Sequence, residues 1–371
     1  MHGVGKKWIL RAFETFGHPA PFIVPQQAEP DPMFPTVSFP NPEEKGALDI
    51  ALAFAKEHNC SVVIANDPDA DRLAVAERMG GQDANTWHVF SGNEIGVILG
   101  YWHILQYKLQ PGNNASSAAV LASIVSSRML RGIARAEGVQ YFDTLTGFKW
   151  LGNKAMDLST AGSDVLFSYE EALGYCCGSV LRDKDGVSAA SIFLEIAASL
   201  AQGWTDPLPA SHATAPVLHT VYGLLQYLYT KYGVYVSYNS YVISRYPKVT
   251  DEIFSRIRAG GPTGGYWTHA AGQKITTITD VTKGYDSNVA DGVCALPCTP
   301  DSHMIMFEFE NGASVTLRTS GTEPKIKFYT EMQGSLGSDV DKETLRAQLK
   351  AFVDLLVDEM LEPAKNGLQR A

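Results

Sequence analysis

Asn66-Asp67-Pro68-Asp69-Ala70-Asp71-Arg72 sets three carboxylates at alternate positions directly behind the apolar run Ser61-Val62-Val63-Ile64-Ala65. A short apolar run followed by turn residues reads as a buried strand with a polar loop at its end. A regular strand advances about 6.6 Å over two residues, too far for Asp67, Asp69 and Asp71 to share one ion. The segment must curl, and Pro68 and Ala70 permit a tight turn. Three carboxylates in five residues repel one another unless a cation sits between them. Oxygen-only ligands suit a hard cation, and one that keeps waters while sharing a substrate phosphate fits Mg²⁺ better than a fully caged Ca²⁺. An EF-hand is excluded, because its sixth and twelfth positions are Arg72 and Arg78 instead of Gly and Glu. A solvated acidic turn and an aspartyl-phosphate phosphatase with Asp67 as nucleophile are the competing readings.

Four further loops could carry chemistry. Arg318-Thr319-Ser320-Gly321-Thr322-Glu323-Pro324 follows the strand-like Ser314 to Leu317 and combines a fork-shaped cation, hydroxyls and a Gly that lets backbone N–H groups converge. Those are the parts of a phosphate cradle. Glu170-Glu171-Ala172-Leu173-Gly174-Tyr175 ends a strand and could accept hydrogen bonds from sugar hydroxyls. Thr146-Gly147-Phe148-Lys149 and Asp183-Lys184-Asp185-Gly186 each hold a Lys before a helix, a position suited to phosphate.

The elements that must position these loops alternate. Asn41-Pro42-Glu43-Glu44 resembles a helix start, followed by Leu48, Ala51, Leu52 and Ala55 at helical spacing. Beyond the metal loop, Asn93 to Gln106 reads as helix, Ala118 to Ile124 as strand and Arg128 to Glu137 as helix. Val139 to Phe142 then reads as strand, Trp150 to Leu158 as helix and Asp164 to Tyr169 as strand. Strands alternating with helices imply doubly wound layers, whose ligands bind beyond the carboxyl ends of the strands. Gln202 to Pro216 reads as a loop or insertion. Past Val234 shorter strands appear (Tyr235 to Ser244, Lys274 to Asp280, Met304 to Glu310, Ser314 to Arg318, Ile326 to Glu331) with helices at Asp251 to Arg258 and Lys342 to Leu361. The expected architecture is two doubly wound α/β domains, 1–91 and 92–232, and a smaller α+β domain, 233–371.

Of the 371 residues, 45% are hydrophobic and 19% charged, enough for two or three cores. The net charge of −10 argues against nucleic-acid and anionic-membrane partners. No run of 18 apolar residues is present, and five cysteines without metal-type spacing suggest reduced thiols in a cytoplasmic protein.

Together the five loops resemble, in order, the motifs of the α-D-phosphohexomutase superfamily, and most of all its phosphopentomutase and glucose 1,6-bisphosphate synthase branch. The resemblance covers nearly the whole chain. It implies a four-domain enzyme around a central cleft, in which Asp67, Asp69 and Asp71 bind Mg²⁺ and Arg72 contacts the transferred phosphoryl group. Thr146, Lys149, Glu170 and Lys184 would hold the sugar phosphate. Arg318, Ser320 and Thr322 would grip the non-reacting phosphate through side chains, with Gly321 offering its backbone N–H. A phosphoserine would donate the phosphoryl group and a sugar bisphosphate would serve as activator; the expected partner is a small phosphosugar, and the expected state a monomer. Ala172 stands where many members have Ser, so one hydroxyl contact to a hexose is missing. His2-Gly3-Val4-Gly5 resembles the start of the family's second domain, and the Thr-Ala-Ser-His-Asn-Pro type phosphoserine loop of its first domain has no counterpart. Pro209-Ala210-Ser211-His212-Ala213 shares some of those letters without the Asn-Pro continuation. The expectation is a chain that carries the family's binding loops and lacks turnover alone; a bisphosphate synthase and a non-catalytic phosphosugar-binding protein are the alternatives.

Overall fold

The computed structural model describes residues 1–80, 86–208, 215–260, 264–321, 323–334 and 341–370. The chain divides into two compact units, Met1–Tyr232 and Gly233–Ala371. Thr322 and Ser211 lie outside the described residues.

The first unit runs α1 (Lys6–Phe16), α2 (Asp49–Glu57), β1 (Val62–Ala65), β2 (Ala74–Met79), β3 (Thr86–Val89), α3 (Gly92–Leu109), β4 (Ala118–Ser123) and α4 (Met129–Glu137). It continues with β5 (Gln140–Thr144), α5 (Phe148–Thr160), β6 (Asp164–Glu170), β7 (Gly174–Cys177), α6 (Gly186–Ala201) and α7 (Val221–Tyr232). The four-stranded sheet has the order β5-β4-β6-β7, parallel through β6 and antiparallel at β7. Alternation of strand and helix predicts the parallel part, because a parallel neighbour needs a crossover helix. Ala119, Leu121 and Val165 pack under Phe148, Leu151 and Ala155 of α5.

β1, β2 and β3 form a separate antiparallel sheet. The metal-loop segment is therefore the connection of a hairpin, since β2 turns straight back along β1. The apolar stretch Leu73-Ala74-Val75-Ala76 that leads into β2 is fully buried, yet it follows the polar loop so closely that periodicity does not separate it. The helix expected from Asn41 starts instead at Asp49. Asn41 Oδ1 does accept from the Glu43 N–H (3.2 Å), but as part of a turn. Gly46 at φ 83° is left-handed, which ends any helical path begun at Pro42. α3 opens on a capping box, Ser91 with Glu94.

The second unit runs β8 (Tyr235–Ser237), β9 (Ser240–Ile243), α8 (Pro247–Ala259), β10 (His269–Ala270), β11 (Gln273–Asp280), β12 (Tyr285–Asp286), β13 (Met304–Phe309), β14 (Ala313–Thr319) and β15 (Lys325–Gln333). It ends with α9 (Lys342–Leu361), α10 (Pro363–Asn366) and β16 (Gln369–Arg370). The expected strand Tyr235 to Ser244 is two, β8 and β9, both paired with β15. The sheet is antiparallel, in the order β10-β11-β13-β14-β15-β9-β16. Phe254 and Ile257 of α8 and Leu349, Val353, Leu356 and Met360 of α9 bury against Val315, Leu317 and Ile326. That core fixes β14 and β15, whose connection is the Arg318 loop.

Candidate active site

The loop after β1 curls as the carboxylate spacing requires. Ala70 N–H donates to the Asp67 carbonyl (3.1 Å) and Arg72 N–H to Asp67 Oδ1 (3.0 Å). Asn66 Nδ2 closes the base of the loop on the Arg72 carbonyl (2.6 Å). Ala70 is left-handed at φ 60°, a conformation costly for a residue with a Cβ and held by its surroundings. Its carbonyl accepts from Gly186 N–H (3.1 Å), and the Pro68 carbonyl accepts from Val4 N–H (2.8 Å). The curl brings one oxygen from each of Asp67, Asp69 and Asp71 within 4.8 Å of the others.

The electrostatics of this cluster ask for a cation. Asp67 is buried, Asp71 half-buried and Asp69 exposed. Burial first, then repulsion from Asp71 and Asp69, pushes the Asp67 carboxyl up to about 6, against the Arg72 N–H bond and guanidinium, which pull it down. Lys184 Nζ reaches Asp71 Oδ2 (2.5 Å), and Arg72 Nε lies 3.5 Å from Asp67 Oδ2. Two side-chain cations face the three carboxylates. Among the described residues Asp71 Oδ1 is buried with no hydrogen-bond partner, its ion-pair contact being Arg72 Nε at 3.9 Å. An all-oxygen set with an orphaned carboxylate oxygen fits a hard divalent ion.

The sugar-type loop is stitched to the same place. Leu73 N–H donates to the Leu173 carbonyl (3.1 Å), and Arg72 and Gly174 form an isolated antiparallel bridge. Leu173 is left-handed at φ 63°. Glu170 Oε1 accepts from Gly147 N–H (2.5 Å), so the loops of Thr146 and Glu170 meet through a carboxylate. Glu171 turns the other way: Ser123 and Ser126 hydroxyls donate to its Oε2 (3.1 and 3.3 Å). Burial, then the neighbouring Glu170, raises the Glu171 carboxyl to about 6. Lys149 is exposed, with Nζ 5.4 Å from the centre of the Trp150 ring, and Thr146 is half-buried.

Two glycines that spacing alone does not single out hold this assembly. A Cβ on Gly186 would lie 2.2 Å from the Arg72 carbonyl oxygen, and one on Gly92 1.7 Å from that of Glu171. Each is a point where a helix N-terminus touches the backbone of a candidate loop. Gly186 begins α6 directly after Asp185, whose side chain accepts from Val187 and Ser188 N–H groups, and this fixes where Lys184 can reach.

In the second unit Arg318 lies half-buried on β14, opposite Lys327 of β15. Ser320 N–H donates to the Lys325 carbonyl (2.9 Å). Among the described residues nothing lies within 4 Å of a would-be Cβ on Gly321. Lys325 pairs with Glu323 (2.6 Å) and sits 4.2 Å from the centre of the Tyr241 ring. A cavity of about 310 Å³ is lined by Ser320, Thr319, His303, Asp251, Arg245 and Lys325 among others.

Residues 1–80 match the family described as phosphoglucomutase/phosphomannomutase, alpha/beta/alpha domain II, and residues 91–209 match domain III of the same family. The chain belongs to the α-D-phosphohexomutase superfamily. It is 42% identical over 372 residues to a phosphopentomutase of Mus musculus, covering 100% of this chain and 57% of that protein. It is 41% identical over 370 residues to a glucose 1,6-bisphosphate synthase of Homo sapiens, covering 99% and 57%. The chain thus spans a little over half the length of these curated relatives. Among solved structures, the open form of a phosphoglucomutase, parafusin, from Paramecium superposes with a TM-score of 0.61 at 17% identity, over 92% of this chain and 52% of that one. At that identity the likeness is one of fold.

Within this superfamily member, the first unit brings together Asp67, Asp69, Asp71, Arg72 and Lys184, and joins the Thr146 and Glu170 loops through Gly147. Lys149 is exposed over the Trp150 ring. Among the described residues no helix is long and apolar enough to cross a membrane.

Proposed function

We propose that this chain supplies the metal, sugar and phosphate recognition of a phosphosugar mutase that moves a phosphoryl group between C1 and C5 or C6 of a sugar phosphate. The observation that carries this reading is the carboxylate trio of Asp67, Asp69 and Asp71 with its orphaned oxygen, flanked by Arg72 and Lys184. Mg²⁺ held there would offset charge that develops during phosphoryl transfer. Arg72, already aligned by Asp67, would meet the phosphoryl group, and Lys184 would release Asp71 to contact the sugar phosphate. Glu170 would accept from sugar hydroxyls, with Thr146 and Lys149 at the neighbouring loop. Arg318, Ser320, Gly321 and Thr322 would hold the second phosphate, by bidentate guanidinium contact, side-chain hydroxyls and backbone N–H. On this reading 1–91 is the metal domain, 92–232 the sugar domain and 233–371 the phosphate domain.

A pentose phosphate is the favoured substrate and a sugar bisphosphate the activator, supported by the similarity to phosphopentomutase and by Ala172 in the sugar loop. Glucose 1,6-bisphosphate synthesis is the second reading, supported by the similarity to that enzyme. A reducing, cytoplasmic compartment belongs to the same reading, supported by five free cysteines. Calorimetry with ribose 5-phosphate and MgCl₂ tests it. Binding at millimolar ligand or below is expected, weakened at least about tenfold by Arg318→Ala, since a lost charge-assisted bond is worth about 1.5–3 kcal/mol. Absence of heat at millimolar ligand overturns it.

A further inference from the structure

The Arg318 loop has a support that none of its motif letters reveal. We propose that His303 is a positioning residue for this loop, setting Ser320 on the anion it binds by locking Thr319 to α8; the inference rests on the phosphate-binding reading of the loop.

The backbone of His303 grips Thr319 from both sides. Thr319 N–H donates to the His303 carbonyl (3.0 Å), and His303 N–H donates to Thr319 Oγ1 (3.1 Å). Thr319 lies between Arg318 and Ser320, so its placement sets where both neighbours point. The ring of His303 is fixed in turn. It stacks on Phe254 of α8, with centroids 4.4 Å apart and planes 9° from parallel. Nδ1 lies 3.1 Å from Arg258 Nη1, and Nε2 lies 2.8 Å from Asp251 Oδ1.

These two contacts determine the tautomer. A guanidinium only donates, so Nδ1 must accept; Nε2 then carries the proton and donates to Asp251. Arg258 is itself immobile, because its Nε and Nη2 bond both oxygens of the fully buried Asp280 (2.6 and 3.2 Å). The chain of contacts therefore runs from a buried carboxylate, through Arg258 and His303, to Thr319 and the loop. His303, Asp251, Thr319 and Ser320 also line the same 310 Å³ cavity, so a ligand seated on Ser320 meets a wall that this chain holds in place.

The test is ribose 5-phosphate binding at pH 8 by calorimetry, with thermal unfolding of every variant. His303→Ala is expected to weaken binding about fivefold, the worth of roughly one hydrogen bond. Asp251 is exposed, so its replacement is expected to leave the fold intact and separates positioning from folding. Asp251→Asn and Asp251→Ala remove the same charge, but only Asn keeps an oxygen for the Nε2 proton. Asp251→Asn is expected to bind at least as tightly as the unaltered protein, and Asp251→Ala several-fold more weakly than Asp251→Asn, at equal melting temperature. Equal affinities for the two Asp251 variants, or unaltered affinity in His303→Ala, overturn the inference while loss of binding in Arg318→Ala upholds the loop itself. If Arg318→Ala binds as the unaltered protein does, the reading of the loop fails and the inference with it.

Discussion

In the first unit the candidate loops are tied by backbone bonds to helix starts and loops far along the chain, whereas in the second the backbone bonds of the Arg318 loop only extend the pairing of its own strands. Around the Asp67 loop, Val4, Gly186 and Leu173 all bond main chain to main chain, and two left-handed non-glycine residues, Ala70 and Leu173, are held in place. The Arg318 loop has Thr319 on the His303 carbonyl and Ser320 on the Lys325 carbonyl, both at the ends of strand pairs, with Lys325 paired to Glu323, and among the described residues nothing lies within 4 Å of a would-be Cβ on Gly321. The difference matches the work proposed for each. Three carboxylates must be forced together against their own repulsion, which needs a rigid frame. A phosphate cradle gathers donors around an anion that attracts them, so an open tip serves it.

The largest expected effect tests that rigidity. Gly186→Ala puts a methyl 2.2 Å from the Arg72 carbonyl oxygen, and Gly92→Ala puts one 1.7 Å from that of Glu171. Neither obstacle is a flexible side-chain end, so each variant should lose about 3 kcal/mol in urea denaturation, the upper range for overpacking. Gly321→Ala in the second unit should stay within about 0.5 kcal/mol. A Gly186→Ala protein as stable as the parent breaks the contrast.

Charge supplies the next test. Folding raises the Asp67 carboxyl to about 6, chiefly by burial and then by its acidic neighbours. A carboxyl raised above its unfolded value of 3.8 makes the metal-free fold bind its proton more tightly than the unfolded chain. Stability without metal should therefore fall by about 2 kcal/mol as pH rises from about 4 through 6, and then level off. Mg²⁺ should restore that stability above pH 6 and do little at pH 4, where Asp67 is protonated. Asp67→Asn should remove this share of the pH dependence of the metal-free protein, leaving the share that the raised Glu171 carboxyl contributes over the same range, and remove most of the Mg²⁺ response. Equal stabilisation of both proteins by Mg²⁺ at pH 8 would break the assignment of the trio as its site.

How far the two regions could be read from sequence follows from the same contrast. The long elements were legible wherever periodicity was strong: Lys342 to Leu361 is α9 to the residue, and Asn93 to Gln106 lies inside α3. The curl at Asp67 was legible too, because three carboxylates two apart permit no extended strand. What escaped was β2, which begins two positions after Arg72, and the helix start at Asp49, where Gly46 overrides the capping letters at Asn41. Gly186 and Gly92 escaped because a glycine facing a distant carbonyl looks, in sequence, like any turn glycine. His303 escaped for a similar reason: its partners Asp251, Arg258 and Thr319 are 52, 45 and 16 positions away, and only the pairing of β13 with β14 and the packing of α8 bring them together.

The smallest expected effect separates a cap that only starts a helix from one that also aims a loop. Asp341 caps α9, accepting from Glu343 and Thr344 N–H groups (both 3.1 Å). Asp185 caps α6 in the same way, from Val187 and Ser188. Each Asp→Ala change should cost about 1 kcal/mol, the ordinary worth of an N-cap. Asp185 is also flanked by Lys184, which pairs with Asp71, and by Gly186, whose N–H bonds the Ala70 carbonyl. Releasing it therefore loosens the frame of the carboxylate trio, and Asp185→Ala should weaken Mg²⁺ binding several-fold in a calorimetric titration, while Asp341→Ala leaves it unchanged. If both caps lower stability alike and neither moves Mg²⁺ affinity, the backbone frame of the first unit is no more committed to its loop than the second unit is to its own.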